Sequence, residues 1–337
     1  MVFDWKKGIK QSELNIVVDT LKDDGLVILP TETVYGLGAN ACSNIACKKI
    51  FEAKGRAQDN PLIVHVSDID MIERVVCELN EVEKKLVKAF MPGPFTLILK
   101  KSKVISDVAS CNMDTIGVRM PSNKIINEVI SKCGFPIAAP SANISGRPSG
   151  TNVNDIIDEF DGRVGIIVDG GDSDIGIEST VVKVIDNIPV ILRPGFITEM
   201  ILKKLFGVVK LSDNLFKKVD NNTKIESPGM KYRHYAPNTK CVLVVDNEIE
   251  KINRLLDNGD DILVLGFDED EQYINTDKFL SIGSRFNLEL VSKKIFSNLR
   301  KIDNYNCDYA VIEGLKKSNL GLSIMNRLIR ACENNII

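Results

Sequence analysis

At 337 residues the chain exceeds one average domain and suffices for a large and a smaller one, each burying its own core. A formal net charge of −3 gives no global attraction to nucleic acid or anionic lipid. Aromatic residues at 6%, with a single tryptophan, argue against base stacking as the main activity.

In chain order, residues 12–23 read as a first helix, with Ser12 as N-cap and Leu14, Val17, Val18 and Leu21 on one face. Gly25 breaks it, and residues 26–29 form a short apolar strand leading into Pro30. Residues 30–38 (PTETVYGLG) are too polar and glycine-containing for a plain element, so a bend presenting hydroxyls is expected. Helices follow at 44–53, 78–90, 125–132 and 153–160, the second of them stopped by Pro92-Gly93-Pro94. Strands are expected at 62–66, 95–99, 116–120, 137–139, 164–168, 180–185 and 190–192. This mixture indicates an α/β or α+β domain over residues 1–211.

Residues 212–239 lack a sustained period and contain Asn221-Asn222, Ser227-Pro228-Gly229 and Pro237, which reads as an interdomain linker. Its run from Ser227 to Pro237 is richer in aromatic and cationic groups than a spacer requires. Residues 240–337 then alternate strands at 241–245, 262–265, 279–282 and 309–312 with helices at 248–256, 287–301 and 322–331. That pattern predicts a small parallel α/β domain. Neither GxGxxG after a strand nor GxxxxGK[ST] occurs.

No two of the eight cysteines are spaced as CxxC, and His65 and His234 are the only histidines, so neither a local zinc motif nor a disulfide framework is indicated. The segment MVFDWKKGIK has no apolar h-region and no stretch approaches transmembrane length, from which a cytoplasmic protein with no membrane partner is expected.

Several motifs could bind anions. Lys54-Gly55-Arg56, followed by Asn60-Pro61 and a strand carrying His65, sets two cations and an amide beside a strand start, as a triphosphate would need. The alternatives are cations serving a helix C-terminus and a structural histidine. Arg119 and Arg193 each end an apolar strand ahead of a proline, where α/β clefts open, although one such arginine alone would more often be a surface group. Two loops, 140–151 (PSANISGRPSGT) and 176–180 (GIEST), offer hydroxyls, amides and backbone N–H groups, or else only turn and cap chemistry. Thr31, Thr33 and Tyr35 could shape a polar floor or serve sheet and core. Residue chemistry by itself therefore describes an anion-friendly cleft without naming a reaction.

The ordered stretches LPTETVYGLG from Leu29, KGRAQDNPLIVHV from Lys54, MPGPFTLIL from Met91, GVRMPSN from Gly117, PIAAPSANISGRPSGT from Pro136, GIESTVV from Gly176, ILRPG from Ile191 and SPGMKYRHYAP from Ser227 carry a specific resemblance. Residues 12–210 resemble the YrdC-type domain, and the whole chain resembles the two-domain threonylcarbamoyl-AMP synthases, whose linker holds the last motif. The resemblance implies a YrdC-like twisted open mixed sheet with helices, followed by a small Rossmann-like α/β domain. It also implies conversion of L-threonine, bicarbonate or CO2, and ATP to threonylcarbamoyl-AMP and pyrophosphate, with Mg2+ accompanying ATP. Downstream transfer proteins would use the adenylate at position 37 of ANN-decoding tRNAs, and weak direct tRNA contact stays open.

Carried over position by position, the resemblance puts Thr33, His65, Arg119, Ser179 and Thr180 around threonine, the division between the last two being open. It puts Lys54, Arg56, Asn60, Thr115, Ala139, Ser141, Asn143, Ser149, Arg193, His234 and Tyr235 around ATP, the last two as part of a lid. Lys54, Arg56 and Arg193 would supply charge stabilisation, with no dedicated base and no protein metal ligand assigned. Ala57, Met91 and Phe95 depart from the usual proline, tryptophan and leucine but remove none of these groups. An RNA-binding module and activation of a different carbamoyl substrate are the rival readings.

Overall fold

The computed structural model describes residues 1–216 and 234–337. Within them the first sheet comprises β1 (Val2–Asp4), β2 (Val27–Leu29), β3 (Gly36–Asn40), β4 (Ile63–His65), β5 (Phe95–Lys100), β6 (Thr115–Arg119), β7 (Ile137–Ala138), β8 (Ile166–Asp169), β9 (Thr180–Ile185), β10 (Ile188–Arg193) and β11 (Lys210–Leu211). Their spatial order is β1-β8-β2-β3-β7-β4-β6-β5-β9-β10-β11. Both pairing senses occur, β4 running parallel to β6 and antiparallel to β7, so the sheet is mixed. Helices α1 (Gln11–Lys22), α2 (Asn44–Lys54), α3 (Ile69–Val75), α4 (Glu81–Phe90), α5 (Lys124–Cys133), α6 (Asn154–Phe160) and α7 (Glu199–Phe206) connect the strands.

The apolar stripe expected on α1 is buried, but its N-cap is Lys10 without a side-chain bond, not Ser12. The helix begins a residue earlier because the Leu14 N–H already reaches the Lys10 carbonyl at 2.9 Å. The helix expected at 78–90 is present but shorter, and a helix that was not anticipated precedes it. An earlier helix, α3, is capped by Asp68, and α4 starts only after Asn80, whose side chain and Glu83 form a capping box.

The last three residues of the expected hydroxyl-bearing bend belong to a strand, β3, squeezed between β2 and β7. A methyl group at Gly38 would lie 3.1 Å from the Val27 carbonyl oxygen, and one at Gly36 would lie 3.1 Å from Ala139 Cβ. Glycine here permits close strand approach rather than a loop.

The second sheet is entirely parallel, as the alternation predicted. Its order is β12 (Cys241–Val244), β15 (Tyr309–Glu313), β13 (Ile262–Gly266), β14 (Phe279–Ser281), with α8 (Glu248–Leu256), α9 (Leu288–Ile302) and α10 (Leu320–Ala331). The apolar cluster under α9 and α10 also takes in Val34, Ile177 and Tyr235, so it runs on into the loops at the edge of the first sheet. No helix among the described residues is long and apolar enough to cross a membrane.

Candidate active site

Strand register gathers the polar groups. His65 and Arg119 are direct partners across the parallel β4–β6 pair, so their side chains emerge on the same face at the same level. The Thr31–Gly36 turn, the loop after β7, Ser179 ahead of β9 and Arg193 at the end of β10 close around that point. The resulting cleft is lined by Thr31, Thr33, Tyr35, Arg56, His65, Arg119, Ala139, Ser141, Asn143, Ser179, Arg193, His234 and Tyr235 among others. Both of the expected arginines at strand ends thus converge, joined by Arg56.

Arg119 Nη1 donates to Thr33 Oγ1 at 2.8 Å, and Nη2 lies 2.8 Å from Glu32 Oε1. Burial alone would raise the Glu32 carboxyl, but the Arg119 guanidinium outweighs it and holds that carboxyl below its usual value. Thr31 Oγ1 donates to the Val34 carbonyl at 2.6 Å and stands 2.9 Å from Thr33 Oγ1, which ties the turn to the same network. Two polar atoms at the cleft, Arg119 Nε and His234 Nε2, are shielded from solvent and lack a hydrogen-bond partner among the described residues.

His65 is 2% exposed, and its Nδ1 lies 3.3 Å from the Ile63 carbonyl. A carbonyl can only accept, so Nδ1 carries the proton and Nε2 is left as an acceptor. Burial, then Arg119, pushes the ring from 6.5 down to about 3. The folded ring therefore stays neutral where the unfolded one, below about pH 6.5, gains a proton, so stability falls as pH falls through that window. Between pH 7 and pH 5, urea denaturation should show the native chain losing about 2 kcal/mol more than a His65→Gln variant. Equal losses would exclude a buried neutral ring.

Arg193 is 6% exposed and donates from Nε and Nη2 to the Ser179 carbonyl at 3.2 and 3.0 Å, and from Nη2 to Ser179 Oγ at 3.1 Å. Ser179 Oγ also lies 2.7 Å from Thr96 Oγ1. Its neighbour Thr180 points the other way, donating to the Ile197 carbonyl at 2.8 Å, as alternation along an extended chain requires. Of the two, only Ser179 faces the cleft.

Four other expected residues stand behind or away from the lining. Lys54 is buried with Nζ donating to the Asn143 carbonyl at 2.6 Å and to the Ser141 carbonyl, so it braces the loop from below. Burial, then Arg56, lowers its pKa well below the usual lysine value. Asn60 presents its carbonyl to Arg56 Nη2 at 2.9 Å. Ser149 Oγ donates to Glu178 Oε1 at 2.7 Å. Thr115 opens β6 at the end opposite Arg119.

Glu32 and Glu178, which sequence reasoning passed over, both lie inside motifs that carry the resemblance; an acid embedded among hydroxyls was the available signal. The Ser227–Pro237 motif is described only from His234 onward, where Tyr235 stacks on Phe296 with centroids 5.0 Å apart. Residues 227–233, including Tyr232, lie outside the described residues. Among the described residues no group of three or more His, Cys, Asp and Glu is arranged to hold a metal ion.

Residues 19–195 match the family described as "Telomere recombination", which groups the Sua5, YciO and YrdC proteins, and residues 197–332 match "Threonylcarbamoyl-AMP synthase, C-terminal domain". The chain is 37% identical to the threonylcarbamoyl-AMP synthase of Pyrococcus abyssi, over 100% of this chain and 99% of that protein. It is 41% identical to the synthase of Bacillus subtilis, over 94% of this chain and 92% of that protein. A crystal structure of P. abyssi Sua5 complexed with L-threonine superposes with a TM-score of 0.92 at 38% identity, covering 100% of this chain and 99% of the other. Polar cleft, mixed sheet, parallel C-terminal sheet and full-length similarity agree: the chain belongs to the threonylcarbamoyl-AMP synthase family, enzymes of the nucleotidyltransferase type.

Proposed function

We propose that the chain converts L-threonine, bicarbonate or CO2, and ATP to L-threonylcarbamoyl-AMP and pyrophosphate. The observation that supports this most is the convergence of Arg56, Arg119 and Arg193 with neutral His65 and the hydroxyls of Thr33 and Ser179 in one cleft. Such a site suits an amino acid beside a polyanion better than either alone.

In the proposed reaction the neutral threonine amine adds to CO2, forming a C–N bond and releasing a proton. A carbamate oxygen then forms a bond to the α-phosphorus of ATP as the bond from that phosphorus to the β-bridging oxygen breaks, and pyrophosphate leaves. Arg119 and Thr33 hold the threonine carboxylate, while His65 Nε2 accepts from its hydroxyl. Ser179 lines the same subsite, with Thr180 acting through the backbone.

Arg56 and Arg193 compensate the phosphates, and Lys54, Asn60, Thr115 and Ser149 support the nucleotide side with Ala139, Ser141 and Asn143. Positioning and charge compensation would supply the rate enhancement, so no side chain need act as general base. Magnesium would enter as the partner of ATP in the MgATP substrate.

In this reading residues 1–211 form the catalytic domain, 212–239 a linker and lid, and 240–337 a Rossmann-like domain. His234 and Tyr235 close over ATP and exclude water from the carbamate and the mixed anhydride. The adenylate passes in the cytoplasm to proteins that modify position 37 of ANN-decoding tRNAs. Purified protein with MgATP should release pyrophosphate only when threonine and bicarbonate are both present, with the adenylate identified by mass spectrometry. Binding of ATP and threonine without such dependence would refute the reaction.

A further inference from the structure

A buried guanidinium attracts any anion, so a cleft that takes an amino acid beside a polyphosphate has to tell its arginines apart. Two of the arginines here differ in what surrounds them. Arg56 donates from Nε and Nη2 to the Asn60 carbonyl at 3.2 and 2.9 Å, and from Nη2 to the Pro61 carbonyl at 2.9 Å, so its bonds go to neutral groups. Arg119 has a carboxylate beside it instead: Glu32 Oε1 lies 2.8 Å from Nη2, with the Arg119 and Glu32 side chains 5% and 6% exposed.

Among the described residues, however, neither oxygen of Glu32 has a hydrogen-bond partner, and neither do Nε and Nη2 of Arg119. The ion pair therefore lies off the line of the N–H bonds and cancels charge without occupying donors. Nε and Nη2 form the edge of a guanidinium that a carboxylate can meet with two parallel bonds. The remaining nitrogen, Nη1, is already given to Thr33 Oγ1 at 2.8 Å.

Glu32 does not line the cleft, whereas Arg119 and Thr33 do. Its backbone is fixed from behind, the Glu32 carbonyl accepting from the Ile175 N–H at 2.9 Å and the Thr33 carbonyl from the Gly176 N–H at 3.0 Å. It is thus a stationary counter-charge. An uncompensated Arg119 would repel the ammonium of a zwitterion while attracting every small anion, and a fixed negative charge behind it weakens both effects.

We propose that Glu32 is a positioning residue that sets the selectivity of the amino-acid subsite: it cancels the Arg119 charge yet leaves the Nε and Nη2 edge to a substrate carboxylate, so that a zwitterion is preferred there to a plain anion. Polyphosphate is thereby directed towards Arg56. The inference rests on the reading of the cleft as a threonine and ATP site, and deepens it.

The test uses the full-length chain, native and as Glu32→Gln and Glu32→Asp. Calorimetry gives the affinity for L-threonine and for its 2-hydroxy isostere, which keeps the carboxylate and the β-hydroxyl but is a net monoanion. Glu32→Gln should bind the isostere about tenfold more tightly than the native chain does, with threonine affinity changed by less than about threefold. Glu32→Asp keeps the charge and should keep the native preference. KM for ATP should stay within about threefold in both variants.

A loosened wall would weaken both ligands together, and mere relief of an unpaired Arg119 by any carboxylate would tighten both together. Equal changes in the two ligands, in either direction, would therefore overturn the proposal, as would a Glu32→Asp variant that shifts as far as Glu32→Gln. Should Glu32→Gln fail to fold, the native chain decides: at constant ionic strength, replacing chloride by sulfate should leave threonine affinity within about twofold. Sulfate that displaces threonine would show Arg119 open to plain anions and overturn the proposal as well. A native chain that binds no threonine would instead remove the reading of the subsite on which the proposal rests.

Discussion

Arg193→Ala should lower kcat/KM for pyrophosphate release by about 10²–10³-fold, the usual loss when a preorganised donor to developing charge is deleted. The size follows from two simultaneous losses. Arg193 is a 6% exposed cation facing the proposed phosphate position, in surroundings that strengthen its field relative to water. It is also the group that holds Ser179, through bonds of 3.0 to 3.2 Å to the carbonyl and hydroxyl, so the truncated site loosens on the threonine side as well.

Arg193→Lys separates the two losses. A lysine keeps the charge but cannot reproduce the planar fork on Ser179, so threonine KM should rise while kcat falls by less than in the alanine variant. Steady-state pyrophosphate release with each substrate varied in turn makes the measurement. A loss smaller than about fivefold in Arg193→Ala would place the phosphate elsewhere.

The largest effect on stability is expected at Gly176. Its φ is +80°, and a Cβ there would lie 2.4 Å from Lys293 Cα and 2.5 Å from both the Lys293 and Ser292 carbonyl oxygens. These are backbone atoms of α9, which cannot swing aside as a long side chain could. Gly176→Val therefore combines a disfavoured backbone conformation with a collision between the 175–179 loop and the C-terminal α/β unit.

Pushing α9 away would break the hydrogen bond of 3.0 Å from Ser292 Oγ to the Ile175 carbonyl. It would also open the apolar seam that Val34, Ile177 and Tyr235 share with the second core. A destabilisation of about 3–5 kcal/mol is expected, in the range of severe packing mutations. Calorimetry should resolve a lowered transition, or two transitions where the native chain has one. Pyrophosphate release should fall too, because the same loop carries Glu178 and Ser179. A melting temperature indistinguishable from that of the native chain would show that α9 yields without cost, contrary to this expectation.

Much of the fold was readable along the chain because local rules decide it. The α1 stripe is amphipathic, residues 180–185 and 248–256 behave as the periodicity predicts, and the four C-terminal strands alternate with helices as a parallel sheet requires. Where reading failed, tertiary contact overrode composition. Gly36 to Gly38 looks like a loop, yet it is part of a strand because two neighbouring strands approach too closely for side chains. The short strands β1 and β11 were not anticipated, since each is held by its partner, β8 or β10, rather than by any pattern of its own.

The candidate site divides in the same way. From residue chemistry alone, the strand-end arginines Arg119 and Arg193, the loops after residues 139 and 175, and the cations around residue 55 already described an anion-binding cleft, and the ordered motifs supplied the family. What sequence could not decide is which of these groups share a cavity and which stand behind it. That Ser179 faces the cleft while Thr180 turns away, and that Lys54 braces a loop instead of lining the pocket, depends on strand phase and on which carbonyls come within reach. The pairing of Arg327 with Glu178 spans 149 positions and has no local signature. Only the docking of α10 against the cleft creates it, because a buried charge finds its partner through space and not along the chain.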